Sequence, residues 1–228
     1  MSERENILGR IQEALRTPAP VPRVGHNGHA VTSVRPGPPD HNRYLPAIGK
    51  SFDEHLKQFA INAMDLKAEF VPVKDAKELH ARLVELRDQL GWKKVSSHKG
   101  ALTEPACRAL GLPVVLTDAS YAVSEMESSD AGLTECDALI AQTGSVLITS
   151  RSAGGRALSV LPPHHVVIAR RDQLIGSLPE AFQLLKAKYG ANYPSMISFI
   201  TGPSRTGDIE RILVLGAHGP KKLTIFLV

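Results

Sequence analysis

Apolar residues recur at helical spacing in some stretches of this chain and at strand length in others. After Ser51, the residues Leu56, Phe59, Ala60, Ala63 and Leu66 fall on one helical face, and Ser51 with Glu54 matches a capping box. The segment 75–91, DAKELHARLVELRDQLG, carries Leu79, Leu83, Leu86 and Leu90 as a stripe, with Asp75 placed to cap its start and Gly91 to stop it. EFVPV (69–73), KVSS (94–97) and PVVL (113–116) read as short strands, and TEPACRALG (103–111) as a helix between the last two. Strands alternating with helices at this spacing predict βαβ units and a mainly parallel sheet.

From Ala138 the rhythm changes. ALIA and SVLIT flank a turn around Gln142-Thr143-Gly144-Ser145, which predicts a hairpin. A glycine-rich loop, SRSAGGRALS, leads to a strand at 165–169 (HVVIA), a helix over roughly 178–189, and strands MISFIT (196–201) and LTIFLV (223–228). Between these two strands, DIERILVLG fits either a helix or a strand. At the other end, Ile7, Leu8, Ile11 and Leu15 predict a helix over 2–16, with Ser2 and Glu5 as a capping box. Seven prolines between Thr17 and Pro46 erase the periodicity that follows. The expected whole is a three-layer α/β domain over residues 51–228 with an N-terminal helix and Pro/Gly-rich arm over 1–50. That arm is tolerable in chain entropy if it is loose or held by a partner surface, so the N-terminal helix is a candidate to dock on a neighbouring subunit in a homo-oligomer.

Composition narrows the function more by exclusion than by assignment. Of 228 residues, 43% are hydrophobic and only 5% aromatic, which suits a helix-covered parallel sheet rich in Val, Ile, Leu and Ala. The two cysteines, Cys107 and Cys136, cannot build an iron–sulfur site or a disulfide framework, and with no signal peptide the expectation is a cytoplasmic protein. No run of 18 apolar residues exists, so a membrane span is excluded. The net charge of +4 comes from scattered basic pairs, Lys93-Lys94, Arg170-Arg171 and Lys221-Lys222, without the interleaved aromatics of a single-strand binder. Anionic small molecules fit that pattern better than nucleic acid.

Three stretches could carry chemistry. In TGPSRTGDIERILVLGAHGP (201–220), Gly202 and Gly207 free the backbone, Ser204 and Thr206 offer hydroxyls, and Arg205 offers a planar fork for phosphate or carboxylate. If MISFIT is a parallel strand, this loop starts at its carboxyl edge, where α/β sheets bind ligands. An ordinary turn, with Pro203 fixing φ and Asp208 capping, explains the same residues. In AQTGS, Thr143, Gly144 and Ser145 form either a polar turn at a ligand or a plain hairpin turn. In SRSAGGRALSVLPPHH, Gly154-Gly155 would let the backbone approach a ligand and Arg151 or Arg156 could meet an anion. His164 and His165 would face opposite sides of a strand and cannot share a metal. No spacing matches a metal-ligand motif, and Cys136, between Glu135 and Asp137, is a poor nucleophile.

Together these stretches resemble the lactate-utilisation protein C (LutC/YkgG) family, the LUD domain, whose hallmarks stand here as AQTGSVLIT, SVLPPHHVVI, TGPSRTGDIE and GAHGP. The match covers roughly 130–228 by motif and 51–129 in rhythm. The resemblance implies a Rossmann-like fold similar to the NagB/RpiA/CoA-transferase superfamily. It also implies a role in bacterial L-lactate oxidation to pyruvate beside iron–sulfur redox partner subunits, this chain itself holding no redox cofactor. Gln142 stands where the family usually has an acidic residue, and an amide cannot form the acyl intermediate of a CoA transferase.

Two functions follow as expectations. One is an accessory subunit binding an anionic metabolite or partner chains, lined by Thr143, Gly144, Ser145, Gly202, Ser204, Arg205, Thr206 and His218. The other is a stand-alone isomerase or transferase on a small phosphorylated or acyl substrate, with Asp208 or Glu210 as base and Arg205 holding the anion.

Overall fold

A computed structural model describes residues 45–206, 214–216 and 218–228. The predicted helix at 2–16 and most of the proline-rich arm lie outside the described residues, as do Asp208 and Glu210. Local signals place the first elements. Helix α1 (Phe52–Asp65) starts at a complete capping box: Ser51 Oγ accepts from the Glu54 N–H at 3.3 Å, and Glu54 Oε2 accepts from the Ser51 N–H at 2.9 Å. Strand β1 (Glu69–Pro72) follows, then α2 (Ala76–Leu90), capped by Asp75 Oδ1 on the Glu78 N–H at 2.9 Å and ended by Gly91. Of the expected stripe, Leu79 and Leu83 are buried, whereas Leu90, one residue before the stop, is 39% exposed.

The chain continues through β2 (Val95–Ser97), α3 (Thr103–Leu110), β3 (Val114–Leu116), the short α4 (Val123–Glu127) and β4 (Ala131–Thr134). Later come β7 (His164–Ala169) and β12 (Lys222–Leu227). These six strands form one sheet in the order β1-β12-β7-β4-β2-β3, with every neighbour parallel, as the βαβ rhythm predicts. Alternation along β7 and β12 splits the core. Val166, Ile168 and Phe226 pack with Leu79, Leu83 and Leu110 of α2 and α3. Val167, Ala169, Leu223, Ile225 and Leu227 face the other way, toward Phe59 and Ala63 of α1.

That second face also meets a second sheet, an addition to the expected layers. Strands β5 (Ala138–Ile140) and β6 (Ser145–Thr149) form the predicted hairpin, and β8 (Leu174–Ile175) and β9 (Ile197–Ile200) complete the order β8-β5-β6-β9. Leu139, Val146 and Ile148 turn inward to the large sheet, while Ala138, Ile140 and Leu147 pack on Ala181 and Leu185 of α5 (Leu178–Tyr189). A buried polar cluster ties this layer together: Asp137 Oδ1 accepts from Lys188 Nζ at 2.6 Å and from the Tyr189 hydroxyl at 2.7 Å. Burial alone would push the Asp137 carboxyl up, but these donors outweigh it and hold it below the ordinary carboxylate range.

One expectation needs correction. MISFIT is strand β9, and it pairs antiparallel with β6 in the small sheet, Val146 opposite Ile200. The loop that begins at Gly202 therefore does not leave the carboxyl edge of a parallel strand. A short stretch of apolar residues fixes strand length but not the sheet it joins. The ambiguous segment ends as strand: β10 (Arg205–Thr206) pairs antiparallel with β11 (Val214–Leu215). Among the described residues, no helix is long and apolar enough to cross a membrane.

Candidate functional site

The large sheet has a topological switch between β2 and β4, because the chain leaves β2 toward β3 and leaves β4 toward β7. Open α/β sheets bind ligands outside the carboxyl ends of such strands. Here the β4 side of that crevice is filled from within, while a cavity of about 330 Å³ opens on the β3 side beside His98, Lys99 and Leu116. Helix α3 has no side-chain cap of its own at Leu102, and Glu135, just past β4, supplies one: its Oε1 accepts from the Leu102 N–H at 2.7 Å and from the Thr103 N–H at 3.4 Å. The Glu135 N–H in turn donates to His98 Nε2 at 3.2 Å. The Gly154 backbone (φ 62°) closes over the same place, since a side chain there would run into His98. Of the glycine pair, Gly154 thus approaches His98 rather than a ligand, and Gly155 faces open space. Burial lowers the His98 imidazole from its ordinary value despite the nearby Glu135 and Asp118 carboxylates.

The sequence motifs converge elsewhere, on a cavity of about 230 Å³ at the amino ends of β7 and β12. Its floor is His165, 1% exposed, the second residue of β7. Ser159 and Val160 come from the segment ahead of that strand, Ser198, Ile200 and Thr201 from β9 and its end, and Gly202, Pro203 and Ser204 from the loop that follows. His218, Gly219 and Pro220 close the remaining side. Backbone bonds lock the loops together: the Ser204 N–H donates to the Pro220 carbonyl at 2.9 Å, the Gly216 N–H to the Ser204 carbonyl at 3.0 Å, and the Lys221 N–H to the Pro163 carbonyl at 2.8 Å. Gly202 sits at φ 85°, and a Cβ there would lie 2.7 Å from the Leu66 carbonyl oxygen, so only glycine fits the corner.

Of the residues predicted to line a site, Gly202, Ser204 and His218 meet at this cavity. Ser145 stands one bond behind the wall, its Oγ 2.8 Å from Thr201 Oγ1. Thr143 and Gly144 do not reach it. They form the hairpin turn, which packs on α1, where Asn62 Nδ2 donates to the Ala141 and Gln142 carbonyls at 2.7 and 3.2 Å. Arg205 is exposed and outside the wall, although its guanidinium runs past Gly202. Thr206 contributes backbone to β10. Arg151 and Arg156 are engaged structurally, Arg151 over the Tyr189 ring at 5.4 Å and Arg156 Nη2 on the Ser195 carbonyl at 2.6 Å.

Gln142 has a structural role. It is buried, its Nε2 donates to the Pro46 carbonyl at 3.0 Å, and its Oε1 accepts from the Leu178 N–H at 3.4 Å. Cys136 is buried as well, which pushes its thiol far above the ordinary range, with Asp137 adding to the rise.

Ser159, Ser198, Thr201 and His165 are the wall residues that residue types did not single out for binding. His165 carried one available signal, its place at the start of the apolar run HVVIA, one residue past Pro162-Pro163-His164. Its Nε2 lies 2.9 Å from Thr134 Oγ1, and its Nδ1 has no partner among the described residues. Burial and the neighbouring His164 depress it to about 3, so it is neutral at physiological pH. Among the described residues, the cavity wall contains no Asp, Glu, Lys or Arg. Such a site offers hydroxyls and neutral imidazole to a small polar molecule and no buried carboxylate to repel an anion. Among the described residues, no wall hydroxyl is hydrogen-bonded to either histidine, so the site holds no assembled nucleophile–base pair.

Residues 116–228 match the family model of the LUD domain. Curated relatives are named lactate utilization protein C. The one from Deinococcus radiodurans is 32% identical over 120 residues, covering 52% of this chain and 56% of the relative. Those from Shouchella clausii and Bacillus subtilis are 34% identical over 112 residues (49% of each chain) and 32% over 123 (52% and 51%). The chain thus spans about half the length of the curated relatives it matches. Among solved structures, the crystal structure of a DUF162 family protein from Deinococcus radiodurans is similar, with a TM-score of 0.63 at 25% identity, covering 79% of this chain and 99% of that one.

Proposed function

The chain belongs to the LUD domain family, and we propose that it serves L-lactate oxidation to pyruvate as an accessory subunit. On this reading it binds a small anionic metabolite in the His165–Ser204–His218 cavity and leaves electron transfer to iron–sulfur partner subunits. Residues 51–228 are then the working domain, and the arm over 1–50 is the segment that meets partners.

The observation that carries the reading is convergence. LPPHH lies some 35 residues ahead of TGPS and GAHGP, yet all three meet around one cavity that has no acidic residue among the described ones. Relatives named for lactate utilisation supply the metabolic setting. At about 230 Å³ the cavity is below the roughly 300–1,000 Å³ of sites for drug-sized ligands, which suits a molecule of a few heavy atoms and not an acyl-CoA. The second expectation, a transferase or isomerase, gains nothing comparable: Gln142 is committed to backbone partners, and Asp208 and Glu210 lie outside the described residues.

Calorimetric titration of the full chain with L-lactate, pyruvate and related carboxylates tests the binding. Saturable binding, weakened about tenfold or more in Ser204→Ala, supports it. Absence of binding by every carboxylate rules it out. Deleting the protein tests the setting, since loss of growth on lactate is expected and normal growth would remove the metabolic assignment.

A further inference from the structure

A second cavity of about 230 Å³ lies on the opposite face of the large sheet, lined by Trp92, Asp130, His164, Lys221 and Lys222. It is separate from the site described above and shares no lining residue with it. His164 is 3% exposed, its ring set edge-on to Trp92 with centroids 5.3 Å apart. Its tautomer follows from its partners. Thr224 Oγ1 has a single proton, which it donates to Glu69 Oε2 at 2.9 Å. Toward His164 Nε2, also at 2.9 Å, the same oxygen can only accept, so Nε2 carries the hydrogen. Nδ1 is therefore a bare acceptor, and it is buried with no partner among the described residues. A buried acceptor without a donor bears the desolvation cost of an unmade hydrogen bond.

The charges around it favour an anion. Lys221 and Lys222 are exposed at the rim, and burial, with a smaller push from Lys222, depresses His164 to about 4, so the ring stays neutral. The acidic wall residue is already engaged: Asp130 Oδ2 accepts from the Lys93 and Lys94 N–H groups at 2.6 and 3.0 Å.

We propose that this cavity is a second ligand site, for a small oxyanion that carries its own O–H donor. Lys221 and Lys222 take the negative charge, and Nδ1 of His164 accepts the hydrogen bond. A hydroxy acid and hydrogen phosphate share that chemistry, whereas pyruvate and sulfate have the charge without the donor.

Nitrogen NMR of the imidazole rings in the full chain tests this with four probes: L-lactate, inorganic phosphate, pyruvate and sulfate. At neutral pH, His164 should begin with an unprotonated Nδ1, and that resonance should move on addition of lactate, phosphate or both. Whichever moves it identifies the source. Pyruvate and sulfate should act at least fivefold more weakly, and Lys222→Gln, a change at an exposed side chain, should lower the apparent affinity severalfold without shifting Tm. A protonated Nδ1, no response to any probe, equal responses to sulfate and phosphate, or an unchanged affinity in Lys222→Gln would each overturn the proposal.

Discussion

His164 and His165 are adjacent on β7 yet point to opposite faces of the large sheet, and each is anchored through Nε2 to a threonine on a neighbouring strand at 2.9 Å. Thr224 of β12 holds the first and Thr134 of β4 the second. Period-two alternation makes this unavoidable on a strand, and it puts one neutral imidazole at the wall of each cavity.

That burial predicts an acid response. Folding depresses both rings, to about 4 and about 3, from 6.5. The unfolded chain then binds protons that the folded chain cannot. The stabilising difference is complete above pH 6.5 and is lost as pH falls toward 4. Denaturant unfolding between pH 7.5 and 4.5 should show stability falling by roughly 1 kcal/mol per pH unit for each histidine below 6.5. A flat profile across that window would contradict the burial of both rings.

Glu135 caps α3 from another strand. Glu135→Gln keeps an acceptor but removes the negative charge at the helix start, and should cost about 1 kcal/mol, seen as a Tm several degrees lower. Glu135→Ala, which strips both N–H groups of their partner, should cost more. Equal effects would mean that the charge carries the whole cap, and an unchanged Tm in Glu135→Gln would mean that the charge contributes nothing.

Gln142→Glu restores the acidic residue that a CoA transferase needs. The amide donor to Pro46 would be lost and a charge buried in its place, so destabilisation of about 1–3 kcal/mol is expected, with no gain of acyl transfer. An active, stable variant would revive the transferase reading.

Arg205 lies at the rim and outside the wall. Arg205→Ala should change stability by less than about 0.5 kcal/mol and weaken anion binding only a few-fold, an effect that fades with added salt. A loss as large as that in Ser204→Ala, persisting in high salt, would place the guanidinium on the ligand.

Much of the fold was legible because its signals are local. Ser51 with Glu54, and Asp75 with Glu78, are bonds within one helical turn, and the strand–helix rhythm from 69 to 116 implies parallel pairing. The second sheet was not legible, because pairing partners leave no trace in a four-residue run such as Ile197–Ile200. Ala131–Thr134 was missed for a related reason: AGLT has too few β-branched residues to register as a strand, though it lies central in the sheet. In the candidate site, Gly202, Ser204 and His218 stood out as residue types. Ser159, Ser198 and Thr201 did not, since isolated hydroxyls become wall residues only when β9 meets the segment ahead of β7.

The central claim is that ligand enters at the amino ends of β7 and β12, and that the crevice at β2 and β4, filled on its β4 side, does not take it. A crystal of the full chain soaked in L-lactate tests this most directly. Density for the carboxylate is expected between His165, Thr201, Ser204 and His218. Density beside His98 and Lys99 with Glu135 displaced from α3, or none in the His165 cavity, would contradict it.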